Sequence, residues 1–415
     1  MKVYQVGGAV RDRLLGLPIV DRDWVVVGAT VEQMTALGYK PVGRDFPVFL
    51  HPETAEEYAL ARTERKTAPG YRGFAFNTSP DVTLEQDLLR RDLTVNAMAL
   101  DEQNHLIDPC HGSEDLKHRI LRHVSPAFTE DPLRVLRTAR FAARLEFSVA
   151  TETMNLMRDI AVSGELDALV PERVWQETER ALAVDRASIF FSVLRECAAL
   201  TKVFPELDKL YGVPQPEQYH PEIDTGVHTM MVLDQACTLS NDTAVRFAAL
   251  VHDLGKGLTP EHEWPSHRNH ERLGVELVNR LCDRYRIPRK HRELSVMVAL
   301  YHLDCHRVNE MRPGKVIEKL ELLDAFRRPD RFEQFLLACE ADARGRKGFE
   351  NLEYTQAGRF RELLAAANRI DTSGLKVNEL DGREAAEAIR QLRIDAVSGM
   401  TRERVAGTNK MPPLN

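Results

Sequence analysis

A glycine pair, an arginine and two aspartates fall close together at the amino terminus, and their types and spacing suit phosphoryl chemistry. Val6-Gly7-Gly8-Ala9-Val10-Arg11-Asp12 is followed by Asp21-Arg22-Asp23. Gly7-Gly8 lets the backbone approach a ligand closely. Arg11, at the start of a short helical run, can share a phosphate with free backbone N–H groups. Asp21 and Asp23 lead into the β-prone run Trp24-Val25-Val26-Val27. On a strand, positions two apart face the same side, so both carboxylates are predicted to point at one spot. Two hard oxygen ligands beside a phosphate cradle are what a Mg²⁺-dependent phosphoryl-transfer site requires. A glycine pair alone marks a turn, and Asp-x-Asp alone occurs on solvated strands; the joint spacing, with Arg11 between, carries the reading.

Two later segments hold arginines and carboxylates at helical spacing. Arg90-Arg91-Asp92 opens a small-residue run through Asn96 to Ala99 that reads as helical. One arginine there could bind a triphosphate and Asp92 a sugar hydroxyl; a surface helix start is the equal alternative. In Glu130-Asp131-Pro132-Leu133-Arg134, Pro132 fits a first helical turn. Asp131 and Arg134 are then expected on one face, with Arg137 and Arg140 extending the ridge. Such a pair is either a helix salt bridge or an acceptor and donor fork that reads a base edge. The formal net charge of −7 does not advertise a nucleic-acid binder. Lys117, Arg119, Arg122, Arg134, Arg137, Arg140 and Arg144 nevertheless crowd one segment, read here as a phosphate-contacting surface.

Nine of the fourteen histidines lie between His220 and His306. His228 sits in a helix capped by Asp224 or Thr225, and His252-Asp253 ends the apolar helix Ala244–Leu254, which Gly255 stops. His270 precedes Gly274, His302 follows Tyr301, and Asp342 lies in Glu340–Arg344. Imidazoles and carboxylates on separate helices suit a divalent transition metal that generates hydroxide for phosphoester hydrolysis. His267, His306 and Asp304 stay open as alternative ligands.

The elements that must position these groups change character along 415 residues, a length that predicts two to four domains. Strands are expected at Val3–Val6, Trp24–Val27, Phe46–His51, Glu57–Ala61 and Leu106–Ile107. Arg62 to Gly73 is basic and lacks hydrophobic period, which predicts a mobile loop. From Pro132 the pattern turns helical, and the proline-bearing stretch Thr201–Asp224 reads as a junction. The expected division is a head at 1–130, a helical neck and body at 131–205, a linker at 206–224, a metal-binding helical domain at 225–345 and a helical tail at 346–415. The last residues, 411–415, are expected to fray. Met1-Lys2 runs straight into a strand without a charged-then-apolar leader, so no secretory signal is expected. No apolar stretch approaches the roughly eighteen residues of a membrane span. Six scattered cysteines without a CxxC pair predict reduced thiols and a cytoplasmic location.

Together the segments resemble the second class of bacterial tRNA nucleotidyltransferases, the CCA-adding enzymes of the DNA polymerase β-like superfamily. The resemblance runs from GGxxRD at Gly7–Asp12 through Asp21 and Asp23 to RRDxxxNA at Arg90–Ala97. It continues with Asp108-Pro109 and Gly112, EDPxRxxRxxRF at Glu130–Phe141, and Pro171-Glu172-Arg173 with Glu177. It implies an α+β fold: a small polymerase β-like sheet head followed by an all-α neck, body and tail clasping the acceptor arm of tRNA. It also implies that Asp21 and Asp23 hold Mg²⁺ as the catalytic pair. Gly8, Arg11, Arg91, Arg137 and Arg140 would contact ATP or CTP, and Asp131 with Arg134 would choose C or A without a template. Bacterial poly(A) polymerases share the head motifs but are expected to carry a basic carboxy-terminal extension, which this sequence does not show. The ordered histidines and aspartates resemble the HD-superfamily phosphohydrolases. That likeness implies His228, His252, Asp253, His270, His302 and Asp342 as metal or catalytic residues. The metal would be Ni²⁺, another divalent transition metal or Mg²⁺. The implied activities are 2′,3′-cyclic phosphodiesterase, 2′-nucleotidase and phosphatase. The partners expected are tRNA, ATP and CTP, with no DNA and no membrane, in a monomer or weak homo-oligomer. The competing readings are a nucleotidyltransferase whose HD half is structural, and a non-catalytic tRNA-binding quality-control module.

Overall fold

In the computed structural model, residues 1–19, 21–42, 48–66, 74–373 and 381–405 are described. The chain forms two compact units, Met1–Ala181 with Ile189–Phe204, and Leu182–Ser188 with Pro205–Asn415.

The first unit begins with strand β1 (Lys2–Val6), helix α1 (Gly8–Leu14), strand β2 (Asp23–Val27) and helix α2 (Val31–Ala36). Strands β3 (Lys40–Val42), β4 (Val48–Leu50) and β5 (Glu57–Leu60) follow, then β6 (Thr63–Lys66) and β7 (Phe74–Asn77). Helix α3 (Leu84–Leu89) precedes β8 (Ala99–Leu100) and β9 (Leu106–Ile107). Seven strands make one sheet in the order β3-β4-β5-β2-β1-β8-β9. Alternation along β2 explains its burial on both faces. Val25 joins Val6, Leu88, Ala97 and Ala99 on one side, and Val26 joins Met34, Phe49 and Leu60 on the other. Thr30 with Gln33 and Thr83 with Gln86 form reciprocal capping boxes that start α2 and α3.

The head then gives way to helices α4 (Gly112–His118), α5 (Leu133–Leu145), α6 (Thr151–Ser163), α7 (Pro171–Leu182), α8 (Ser188–Glu196) and α9 (Leu200–Val203). A two-stranded parallel pair, Ile120–Leu121 with Ser148–Val149, is set among them. Segments 1–130 and 131–205 share this one unit, except for Leu182–Ser188 and Pro205.

Several expectations need correction. The run from Arg62 is not wholly a loop: β6 pairs with β7 in antiparallel register, Thr63 opposite Asn77, and 67–73 lie outside the described residues. Of Phe46–His51 only Val48–Leu50 is strand among the described residues. Thr94–Asn96 is a single 3₁₀ turn and not a helix, because the chain there must turn into β8.

The second unit starts with α10 (Pro205–Asp208), followed by α11 (Thr225–Leu239), α12 (Thr243–Val251), α13 (His270–Tyr285) and α14 (Arg289–His306). Helices α15 (Pro313–Leu322), α16 (Pro329–Arg344), α17 (Thr355–Asn368) and α18 (Gly382–Val405) complete it. Asp224, not Thr225, caps α11 by accepting from Val227 N. The apolar helix ends at Val251, and Leu254–Leu258, Gly255 included, forms a 3₁₀ turn. Residues 206–224 are not a free linker; Gln215 and His220 are buried within the unit. The tail shares the main core, since Phe360, Leu363 and Val397 pack with Val245, Val298 and Phe335. Arg246 is fully buried. It donates to the carbonyls of Ser240, Cys237, Leu182 and Val184 and to Asn241 Oδ1. No helix among the described residues is long and apolar enough to cross a membrane.

Candidate functional site

Strand pairing brings the amino-terminal motif together. Val6 lies opposite Asp23 between β1 and β2, so the carboxylate stands beside the Gly7-Gly8 turn. Gly7 has φ 70°, and a Cβ there would come within 2.9 Å of Arg91 Nη1 and 3.9 Å of Asp23 Oδ2. The left-handed backbone favours glycine here, and a side chain would have to displace the end of Arg91. Asp21 and Asp23 are solvent-facing. The surrounding protein still desolvates Asp23 enough to raise its carboxyl above the usual range; Arg91 opposes the rise and the charge of Asp21 adds to it. Two neighbouring carboxylates at an open strand end fit a hard divalent cation such as Mg²⁺.

The arginines are tied into carboxylates. Arg11 is buried: its Nε donates to Asp12 Oδ1 at 2.8 Å, its Nη1 to Asn96 Oδ1 at 2.5 Å, and Phe141 lies beneath it. Arg91 pairs with buried Asp87 at 3.2 Å, and Arg137 grips Asp92 Oδ2 through Nε and Nη2, each at 2.8 Å. Burial pushes Asp92 up, but Arg137, Asn96 and Arg134 outweigh it and hold the carboxyl far below the usual range. Arg140 pairs with Glu177 and stacks on Phe141. The basic segment is therefore not one solvated face. Arg134 and Arg140 are buried; Arg122 pairs with Asp115 and Glu152, and Arg144 with Asp12.

Asp131 and Arg134 do not pair with each other. Asp131 is extended and precedes α5; it accepts from Leu133 N through Oδ1 and from Arg173 Nη2 through Oδ2. Arg134 donates to the carbonyls of Ala127 and Arg90 at 2.9 and 2.6 Å. The simple helix salt bridge is thereby excluded, and each side chain is fixed by a third party.

The second unit holds a compact centre. His228 Nε2 lies 3.1 Å from Asp342 Oδ1, and His252 Nε2 lies 3.2 Å from Asp253 Oδ2 and 3.6 Å from Asp342 Oδ1. His270 and His302 Nε2 approach Asp253 Oδ1 at 3.3 and 3.7 Å. The six residues predicted from the sequence thus converge, with Asp253 turning one oxygen toward each group. Nδ1 of His252, His270 and His302 lies 2.7, 2.8 and 3.0 Å from the carbonyls of Ala249, His267 and Val298. A carbonyl only accepts, so Nδ1 carries a proton in each ring, and Nε2, which gives up any proton of its own on binding a metal, is the nitrogen turned to the carboxylates. Nε2 of His252 and of His270, and Oδ1 of Asp253, are buried without a hydrogen-bond partner. Burial pulls His252 down, but Asp253 and Asp342 outweigh it and hold the ring up to about 10. The carboxylates demand a cation there, and the nitrogen-rich donor set fits a divalent transition metal.

The open alternatives fall outside this set. Both ring nitrogens of His267 are engaged, by Thr259 and Pro214 O, and Asp304 pairs with Lys319. His306 backs the centre, reaching Asp342 Oδ2 at 2.7 Å and Tyr354 Oη at 2.7 Å. Sequence reasoning missed four neighbours. Glu222 Oε1 lies 3.0 Å from His228 Nδ1, Lys256 Nζ lies 2.6 Å from both Asp253 Oδ2 and Gln215 Oε1, and Arg346 stands nearby. Only Lys256, three residues after Asp253, left a local signal.

These features define a class: a polymerase-type nucleotidyltransferase head joined to an HD domain. Family models agree, matching the poly A polymerase head domain over residues 3–122, a probable RNA- and SrmB-binding site of polymerase A over 146–211 and the HD domain over 225–328. The multifunctional CCA protein of Thioalkalivibrio sulfidiphilus is 62% identical over 97% of this chain and 99% of its own length. That of Methylococcus capsulatus is 59% identical over 98% and 97%. The chain belongs to the multifunctional CCA protein family: a CCA-adding nucleotidyltransferase with an HD domain. Among solved structures it is similar in fold to a CCA-adding enzyme, apo form II, with TM-score 0.66, 20% identity and coverage of 98% and 91%. A Thermotoga maritima CCA-adding enzyme in complex with tRNA gives TM-score 0.63 at 20% identity, covering 98% and 91%.

Proposed function

We propose that the head adds or rebuilds the 3′-terminal CCA of tRNA from CTP and ATP, and that the HD centre hydrolyses 2′,3′-cyclic phosphates, 2′-nucleotides and phosphomonoesters. The observation that carries this is the presence in one chain of two chemically distinct centres, a carboxylate pair at a strand end and a buried imidazole cluster. Asp21 and Asp23 would hold Mg²⁺, which when bound supplies the charge that activates the tRNA 3′-hydroxyl and steadies the leaving pyrophosphate. Arg91 and Arg137 keep side-chain surface of 17% and 33% to offer phosphates. Arg11 and Arg140, expected to contact the nucleotide themselves, are buried and would act from behind it, through Asp12, Asn96, Glu177 and the Phe141 ring. Gly8 admits the nucleotide close to the backbone. Arg134 has five N–H donors, two of them committed to carbonyls; the others, with Asp131, read the base edge. In the HD domain His228, His252, Asp253, His270, His302 and Asp342 would hold Ni²⁺ or a similar metal, which supplies a hydroxide nucleophile. All six cysteines are free thiols, which supports a reducing, cytoplasmic setting.

The test is incubation with tRNA truncated before its CCA end plus labelled CTP and ATP, resolved at single-nucleotide length. Extension by C, C and A in that order supports the reading. No extension, or extension that stops short of A, overturns it.

A further inference from the structure

A buried guanidinium without a counter-charge stands beside the HD centre. Arg346 is 5% exposed, its Nε is buried with no hydrogen-bond partner, and its one hydrogen bond runs from Nη1 to Tyr219 O at 3.5 Å. It has no carboxylate partner among the described residues. Arg246, equally buried in the same unit, shows the normal solution, with four carbonyls and a side-chain amide around it. Burying a charge without partners is costly. A site that keeps such a charge is built to receive an anion.

Position says which anion. The preceding residue, Gly345, accepts from His228 Nδ1 at 3.0 Å, so Arg346 is one peptide from a group that touches a ligand histidine. Tyr219, the residue its guanidinium reaches, adjoins His220, whose ring centroid lies 4.7 Å from that of His228. The nearby carboxylate, Glu222, is engaged by His220, His228 and Lys347 N. Lys256 brings a second buried cation to Asp253.

We infer that Arg346 is the phosphate-binding residue of the HD centre, its planar fork taking the non-bridging oxygens of the ester held against the metal cluster. A guanidinium matches two phosphate oxygens at once. The inference rests on the phosphohydrolase reading above, and phosphate binding is measured apart from turnover so that the two can fail separately.

The experiment uses the full chain loaded with Ni²⁺. Inorganic phosphate binding is measured calorimetrically, and KM and kcat are measured for a nucleoside 2′-monophosphate and a 2′,3′-cyclic phosphate. Metal content and thermal melting are recorded alongside. Arg346→Gln is expected to weaken phosphate binding and raise KM for both esters at least tenfold at unchanged metal content. Arg346→Lys, which keeps the charge and loses the fork, should recover part of the loss. Unchanged phosphate affinity and KM in a folded, metal-replete Arg346→Gln would overturn the inference. So would loss of metal in both variants, which would make Arg346 a support for the ligands. Phosphate binding by a wild type that hydrolyses neither ester, lost in Arg346→Gln, would uphold the inference and overturn the phosphohydrolase reading alone.

Discussion

Asp131 and Arg134 stand three residues apart and are held by different partners, so neither needs the other to stay in place. If both read the base, Asp131→Ala should weaken discrimination for CTP and ATP against GTP and UTP by about 1–3 kcal/mol, with little change in triphosphate affinity. Competition assays that return wild-type selectivity would reject the role. At the catalytic pair, Asp21→Ala or Asp23→Ala should nearly abolish addition of both C and A while tRNA still binds. Substantial incorporation by the double variant would disprove the metal-holding assignment. His291 offers a pH test away from both centres. Burial pulls it down to about 4; Asp242 opposes this and Lys290 adds to it. The folded state then binds fewer protons than the unfolded chain, whose histidine titrates near 6.5. Its stabilising contribution is complete above pH about 6.5 and is lost as pH falls toward 4, by at most on the order of 3 kcal/mol. His291→Gln should flatten melting temperature against pH in that window; a profile parallel to wild type would exclude His291 as the source.

At the scale of elements, one backbone crossing sets the HD centre. A Cβ on Gly255 would lie 1.9 Å from His270 O and 2.6 Å from Gly274 N, so the 254–258 turn and α13 touch backbone to backbone. Gly255→Ala should push α13 away, draw His270 from Asp253 and lower metal affinity about 10–100-fold; metal titration of the purified variant decides this, and wild-type affinity would refute it. What the sequence disclosed and what it hid follow the same logic. His228, His252-Asp253, His270 and Asp342 were legible because each marks a helix or its end at recognisable spacing. Arg346 was not, because it approaches the centre through a contact to Tyr219 that spans more than a hundred residues; Glu222, only six residues before His228, was not because it stands in an irregular stretch where no periodicity announces it. In the head, β1 and β2 were legible as short β-prone runs rich in valine, aromatic residues or both. Strand β8 was not, since two residues paired to β1 carry no pattern of their own. Arg11 and Arg140 were identifiable as arginines near a nucleotide site, but their burial against Asp12 and Glu177 depends on folding that spacing does not encode.

For the molecule as a whole, the two centres differ in ligand chemistry and lie in different units. His252→Ala or Asp253→Ala should therefore remove hydrolysis of cyclic and 2′-phosphates while leaving CCA addition largely unchanged. Assaying both reactions on one preparation settles it, because parallel loss would mean that the centres are coupled. If tRNA is held by shape and phosphates, binding should weaken as salt rises and extend to many tRNAs; salt-independent affinity for one tRNA alone would contradict this. The carbonyls of Leu182 and Val184 that surround Arg246 have a consequence for where the chain can be cut. Leu182–Ser188 belongs to the second unit, Ile189–Phe204 to the first, and the second resumes at Pro205, so the second unit is discontinuous in sequence. A fragment starting anywhere between 189 and 205 would lack both acceptors of Arg246 Nη1 and keep only those of Ser240, Cys237 and Asn241. The shortest stretch that retains the full set of partners starts at Leu182, well upstream of the first helix of the histidine cluster.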